Sequence, residues 1–395
     1  MPPRKVTGRI DWVGAVDWDR RLFDGIIPLP GGTSYNCYIV RGEEKTALID
    51  AVDTSFEEEL FTNLFKSGIS SLDYIVVNHA EQDHSGSLPF ILDLFPNAKV
   101  VTNGKCAELL TELLLIPGDR IMVVDDRQSL SLGGVSLQFL IMPWVHWPET
   151  MVTYCPEEKI LFSCDLFGAH YATSKLFAGD DEEIRVGAKR YYAGIMMPFR
   201  TTIRNHLEVI GDLDIEIIAP SHGPLYDQPG QMIDLYKGWV SEDHSNDVVI
   251  AYVSMHGSTK KMVNKLSDEL IALDLNPVLY NLTCSDPIEI ATSLVSAATL
   301  VIGTPTMLFG PHPLALSAAH IVNMLRPDTK YLAIIGSYGW GGKAVETIDG
   351  MLNHIKAERI EPVYVRGQPD EQDFAAIAAL AEKIAGGHRE LGLLG

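Results

Sequence analysis

Short apolar runs broken by polar turns fill the first half of the chain, and that pattern predicts strands. Residues 35–40 and 46–50 are two such runs, separated by the turn-forming Arg41-Gly42-Glu43-Glu44. Residues 56–66 then place Phe56, Leu60, Phe61, Leu64 and Phe65 at helical spacing. Residues 72–78 read as a buried strand that ends abruptly in a polar cluster starting at His79. Further strands are predicted at 99–102, 121–124, 135–141, 150–154, 159–163 and 216–220. Many short strands with polar residues at their ends predict a sheet sandwich flanked by helices.

Beyond the polar stretch Ser241-Glu242-Asp243-His244-Ser245-Asn246 the pattern changes. Apolar strands at 248–253, 278–282, 299–303, 332–336 and 362–365 are separated by helical stretches such as 260–272 and 287–298. Regular alternation of strand and helix predicts a doubly wound parallel sheet. The expected division is one domain over 1–246 and a second over 247–395, consistent with the chain length of 395 residues.

The excess of 52 acidic over 31 basic residues, a net charge of -21, argues against nucleic acid or an anionic membrane as partner. It would suit a small basic redox partner, although an acidic surface more often serves solubility. Cys37, Cys106, Cys155, Cys164 and Cys284 form no C-x-x-C pair, which predicts reduced thiols and no cysteine-ligated iron site. Met1-Pro2-Pro3-Arg4-Lys5 leads into no apolar signal region, and no apolar run reaches membrane-spanning length. A soluble, cytoplasmic protein is expected.

The densest chemistry is His79-Ala80-Glu81-Gln82-Asp83-His84, four potential ligands in six residues directly after a strand. His146, Asp165 and His222 each follow a further apolar run in the same way. Any one of these histidines alone would more often be a hydrogen-bonded core residue; their joint order points to a metal site. His170, His206, His244 and His256 have no such context as ligands. Trp144 and Trp147 flank His146, either as packing or as a wall that excludes water. Tyr191 or Tyr192 could supply a phenol behind the ligands, with core packing as the simpler reading.

This order resembles the metallo-β-lactamase fold, whose hydrolases carry H-x-H-x-D-H followed by a His, a bridging Asp and a last His. Glu81 stands where those hydrolases have their second His, and H-x-E-x-D-H is the pattern of the flavodiiron proteins. The resemblance implies an αββα sandwich in which one iron takes His79, Glu81 and His146, the other takes Asp83, His84 and His222, and Asp165 bridges them. In some members of that family the residue at the His84 position turns away from the metal. Three carboxylates and a bridging hydroxide would balance two ferrous ions (an oxo bridge belongs to the oxidised pair), and hard carboxylates with imidazoles suit iron.

In the second half, Ser254-Met255-His256-Gly257-Ser258-Thr259 lies between a strand and a helix, where backbone and hydroxyl donors can cradle an anion. Alone this could be a simple helix cap. Two more loops, one with Pro305, Thr306, Met307 and Leu308 and one with Ser337, Tyr338, Gly339, Trp340 and Gly341, follow the third and fourth strands. In a 2-1-3-4-5 strand order the three loops meet at the switch point. They resemble the flavodoxin loops that hold FMN, with Tyr338 or Trp340 placed to stack on the ring.

The resemblance covers the whole chain and implies an oxidoreductase that reduces dioxygen to water, nitric oxide to nitrous oxide, or both. A reduced flavin and two ferrous ions would together store four electrons. Without a C-x-x-C rubredoxin module or an appended flavin reductase, the chain resembles the minimal two-domain class. Its electrons would come from an external donor such as rubredoxin or a reduced cofactor (deazaflavin in some methanogens). The family also implies a head-to-tail homodimer or a dimer of dimers. The alternative is a binuclear metallohydrolase, of thioesterase or glyoxalase type, fused to a flavodoxin domain.

Overall fold

Successive side chains along the strand Tyr74–Val76 enter different cores, Ile75 on one face and Val76 on the other, as the strand pleat requires. The computed structural model describes residues 1–394, in two units: Met1–Tyr192 with Phe199–Val240, and Ala193–Pro198 with the chain from Ser241 onward. In the first unit a seven-stranded sheet runs from Arg4–Lys5 through Ile10–Trp12, Tyr38–Arg41, Thr46–Ile49, Tyr74–Val76 and Lys99–Thr102 to Ile121–Val123. A five-stranded sheet, Ser129–Ser131, Ser136–Ile141, Met151–Cys155, Ile160–Cys164 and Ile217–Pro220, faces it.

Val40, Ile49, Val76 and Val101 from one sheet pack between Leu137, Phe139, Ile160 and Phe162 from the other. Helices Glu57–Lys66, Leu88–Leu94 and Gly104–Leu114 cover the outer face of the larger sheet, burying Leu60, Leu64, Leu88, Ile91 and Leu110 against Ile39, Leu48, Ile75 and Val100. Each such fully buried side chain contributes about 1.5–3 kcal/mol of transfer free energy. The expected αββα sandwich is therefore present.

Two local expectations need correction. Residues 35–40 form two strands, Thr33–Tyr35 and Tyr38–Arg41, because Asn36 leaves the ladder. Its side-chain amide donates to the carbonyl oxygens of Pro220 and Gly223 (2.8 and 2.7 Å), and its backbone N–H to that of Ser221. The helix expected over 287–298 ends at Leu294, and its last residues start the strand Ala297–Met307. Ala297 and Ala298 suit a helix by propensity, but both are buried in the sheet.

In the second unit the parallel strands lie in the order Asn276–Asn281, Ser245–Tyr252, Ala297–Met307, Tyr331–Tyr338 and Val363–Arg366, the expected 2-1-3-4-5 arrangement. Val248, Ile250 and Tyr252 pack towards helices Ser258–Ala272 and Glu371–Glu390, whereas Val249 and Ala251 pack towards Pro287–Leu294 and Pro313–Leu325. All five cysteines are free thiols, four of them buried. Among the described residues no helix is long and apolar enough to cross a membrane.

Close backbone approach at the carboxyl end of this sheet requires glycine. A Cβ at Gly336 would sit 1.8 Å from the carbonyl oxygen of Thr304 on the neighbouring strand. Gly336→Ala should therefore destabilise the protein by roughly 1–3 kcal/mol, measured as a lower midpoint in thermal unfolding. An unchanged midpoint would contradict this packing.

Candidate metal centre and flavin cleft

Strands Ser136–Ile141, Ile160–Cys164 and Ile217–Pro220 all run in one direction: the first two are each antiparallel to Met151–Cys155, and the last two pair in parallel. Their carboxyl ends thus share one edge, and His146, Asp165 and His222 lie just beyond it. The larger sheet brings His79–His84 to the same place through Asn78. The carbonyl oxygen of Asn78 accepts from Met151 N–H (2.9 Å), and its Oδ1 accepts from the Thr153 hydroxyl (2.7 Å). Asp50, itself buried, holds the backbone and side-chain amides of Asn78 (2.8 and 2.9 Å).

The donor atoms form two clusters that share one carboxylate. His79 Nε2 and His146 Nε2 lie 3.1 and 3.2 Å from Glu81 Oε2, and each lies 3.5 Å from Asp165 Oδ2. On the other side, His84 Nε2 lies 3.3 Å from Asp83 Oδ1 and 3.0 Å from Asp165 Oδ1. His222 Nε2 lies 3.1 Å from Asp83 Oδ2 and 3.5 Å from Asp165 Oδ1. All seven residues expected as ligands are thus brought together, His84 included.

Donors placed roughly 2.0–2.2 Å from one cation necessarily stand about 3.0–3.5 Å from one another, which is the spacing here. Both Asp83 oxygens, His84 Nε2 and Asp165 Oδ2 are buried and make no hydrogen bond. Orphaned donors of this kind are rare in native interiors. The residues therefore fit a pair of cations.

Burial alone would lower the pKa of His79, yet hydrogen bonds to Glu149 and Glu81 carry it above the ordinary imidazole range. For His146 the carboxylates of Asp165 and Glu81 overcome burial and push it up to about 10. His84 is likewise raised well above normal, against its burial, by the charges of Asp165 and Asp83. In return, burial is outweighed at Glu81 by its bonds to His146 and His79, and at Asp165 by the His84 charge and the neighbouring His146 imidazole. Both carboxyls are held well below the usual range.

Behind the donors lies a second set of contacts. His79 Nδ1 meets Glu149 Oε1 at 2.7 Å, and His222 Nδ1 meets the carbonyl oxygen of Ser34 at 2.7 Å. The Tyr191 hydroxyl donates to Asp165 Oδ1 (2.8 Å), so Tyr191, not Tyr192, is the phenol beside the ligands. Tyr192 donates instead to the carbonyl oxygen of Trp239 (3.2 Å). His170 also has a place here: its ring centroid lies 4.7 Å from that of His222, and its Nδ1 meets the Thr33 hydroxyl at 2.9 Å. Burial and the neighbouring His222 hold its pKa well below normal. Trp147 stands edge-on to His79 (4.9 Å), whereas the half-exposed Trp144 stacks on Phe199. His206 and His244 bond to the backbone carbonyls of Pro143 and Asp328, as core histidines do.

Sequence reasoning missed Glu149 altogether. Its one signal was position, three residues after His146 and before a strand.

In the second unit an open cleft is lined by Ser254, Met255, His256, Ser258, Thr259, Pro305, Thr306, Ser337, Tyr338, Gly339 and Trp340, together with Gly367, which was not anticipated. Gly257, Met307, Leu308 and Gly341 do not line it. Gly257 instead supplies the left-handed turn (φ 93°) that starts helix Ser258–Ala272, and Leu308 is 81 % exposed. The Thr259 hydroxyl, at the helix N-terminus, is buried without a partner, a vacant donor where a phosphate could sit.

Residues 33–223 match the family model described as ODP family beta lactamase, and residues 250–379 match Flavodoxin. The chain is 37% identical to a nitric oxide reductase of Moorella thermoacetica, over 97% of this chain and 98% of the relative. It is similar to the solved rubredoxin oxygen:oxidoreductase of Desulfovibrio gigas, with a TM-score of 0.94 at 28% identity, covering 98% of this chain and 99% of that one. The solved flavodiiron protein of Giardia intestinalis matches with a TM-score of 0.93 at 30% identity, covering 99% and 98%.

The raised imidazoles carry a linkage consequence for metal-free protein. A group whose folded pKa exceeds its unfolded value of 6.5 stabilises the fold fully below that pH and ceases to do so as pH rises through the folded value. Metal-free protein should therefore lose stability between about pH 6.5 and 10, the window of His146, whereas metal-loaded protein, with its imidazoles already neutral, should not. Thermal midpoints of both forms across this range check it.

Proposed function

Because the chain belongs to the flavodiiron protein family, we propose that it reduces dioxygen to water or nitric oxide to nitrous oxide at a di-iron pair held by its own seven ligands. His79, Glu81 and His146 would hold one iron, Asp83, His84 and His222 the other, and Asp165 would contribute an oxygen to each. The observation that carries this reading is the division of the Asp165 oxygens, Oδ2 to the first cluster and Oδ1 to the second. Two ferrous ions and a reduced flavin, when bound, supply the four electrons that turn one dioxygen into two waters, or four nitric oxides into two nitrous oxides and two waters.

The chain's own groups do the rest. Tyr191 keeps its proton at Oη, because burial and the adjacent Asp165 charge raise its pKa well above the ordinary phenol range. That O–H orients Asp165 by occupying part of Oδ1. Trp147 packs against the edge of His79 and keeps water from that side. A hydrolase is not favoured, because Glu81 replaces a histidine and the relatives are named as reductases.

The ligands fall in a first domain and the flavin site in a second, as the family matches over 33–223 and 250–379 support. The boundary lies near 240/241 rather than at the expected 246/247, because strand Ser245–Tyr252 belongs to the second unit. Ser254, Ser258 and Thr259 would hold the phosphate of FMN in the cleft, and Tyr338 and Trp340 would flank its ring. Rubredoxin or a reduced cofactor feeds it, and the net charge of -21 suits a basic donor face. A head-to-tail homodimer would cover the exposed Met255, Leu308, Phe309 and Trp340 of the second unit. Five free thiols fit the reducing cytoplasm.

Metal analysis should find close to two irons per chain; zinc, or no metal, would refute the assignment. After anaerobic reduction, stopped-flow mixing with each gas separates the two substrates. Fast reoxidation by dioxygen with water as product marks an oxygen reductase, and fast reoxidation by nitric oxide yielding nitrous oxide marks a nitric oxide reductase. Reoxidation no faster than that of free flavin, with both gases, would sink the mechanism. Thr259→Val should weaken FMN binding roughly ten- to a hundredfold, the loss of one charged hydrogen bond, and leave riboflavin binding unchanged; fluorescence titration of both flavins measures it.

A further inference from the structure

Two of the histidine ligands proposed above use their second ring nitrogen differently. His222 Nδ1 donates to a neutral acceptor, the carbonyl oxygen of Ser34. His79 Nδ1 donates to a carboxylate, Glu149 Oε1, which also accepts from Ala80 N–H (3.1 Å). Glu149 is 0% exposed and stands outside both donor clusters. Its Oε2 is buried with no hydrogen-bond partner, and the one ion pair recorded for it among the described residues is with His79.

With a cation on Nε2, His79 is a neutral imidazole. The buried charge of Glu149 is then met by an imidazole N–H and backbone N–H groups, with no cationic partner. Such burial is costly, and it persists only where the charge is compensated. A backbone carbonyl would have held the ring equally well, as it does at His222. The chain nevertheless anchors the backbone that carries this carboxylate. The Asn103 amide donates to the Glu149 backbone oxygen (2.5 Å), while Asn103 Oδ1 caps helix Gly104–Leu114.

We propose that Glu149 is a positioning residue for the metal centre: it locks His79 in the Nδ1–H tautomer and strengthens Nε2 as a donor. The cation on the His79 side is thereby held more tightly and stabilised in its higher oxidation state. This rests on the ligand reading given above.

The test uses the full-length, flavin- and iron-loaded protein and its Glu149→Gln and Glu149→Ala variants. Each is challenged anaerobically with a graded ferrous chelator, and the reduction potential of the iron pair is measured by redox titration. Flavin content and thermal midpoint verify that each variant is folded. Glutamine can still accept both hydrogen bonds but carries no charge. We expect it to surrender one iron per chain at roughly ten- to a hundredfold lower chelator activity, with a higher potential, and alanine to lose it more readily still. A folded glutamine variant that cannot be loaded where wild type takes up two irons supports the proposal equally. If Glu149→Gln matches wild type in both iron retention and potential, the proposal is overturned and the ligand reading stands. If wild type itself does not hold two irons, the ligand reading fails and this inference falls with it.

Discussion

The first unit is organised around a concentration of like charge that no fold would bury without compensation. Glu81, Asp83, Asp165 and Glu149 converge with His79, His84, His146 and His222 in a pocket where all but Glu81 and His146 are almost wholly buried. Carboxylates so close repel one another strongly at the low effective dielectric of an interior. The available remedies are protons on the imidazoles or multivalent cations among them. The raised histidines and depressed carboxyls express the first, and the orphaned donor atoms are shaped for the second. Much of the surrounding architecture holds this cluster in register.

That register comes from strand ends. Both sheets deliver their ligands from the carboxyl termini of strands whose side chains lock into a shared core, so the loops begin from nearly fixed points. Asn36, Asp50 and Asn78 then fix the loops themselves, the first two with side-chain bonds to backbone groups and Asn78 with side-chain bonds to Asp50 and Thr153. The second unit applies the same logic to a different ligand. Loops after its first, third and fourth strands meet where the connections diverge, and glycines at 303 and 336 leave room for neighbouring backbone and side chains.

Much of this was legible in the residues alone. Apolar runs ending in the cluster His79–His84, or in the solitary His146, Asp165 and His222, located the seven residues that the structure brings together, and the change from sandwich-like to alternating pattern located the two folds. What escaped notice depended on contacts between distant residues. Glu149 gains its role only because the pairing of Ser136–Ile141 with Met151–Cys155 returns the chain to His79, 70 residues away in sequence. Tyr191 and Tyr192 were both candidates for a phenol behind the ligands, and only the fold separates them, by turning the first to Asp165 and the second to Trp239. Asn36 interrupts a run that looks like continuous strand, since its partners Pro220 and Gly223 lie some 184 and 187 residues onward. Met307 and Leu308 were assigned by sequence neighbourhood, but the chain turns outward there, with Leu308 at a positive φ of 48°.

The shared carboxylate has a consequence for how the two cation positions differ. Tyr191 engages the Asp165 oxygen that faces His84 and His222 and leaves the other, facing His79 and His146, free of hydrogen bonds. One side thus receives a carboxylate oxygen diminished by a phenol. The other receives an undiminished oxygen and an imidazole backed by a buried anion. With two ions bound as proposed, the centre would be lopsided in electron richness although its ligand count is nearly symmetric, and electrons would leave most easily from the His79 side. A diatomic molecule arriving between the two ions would meet a polarised pair.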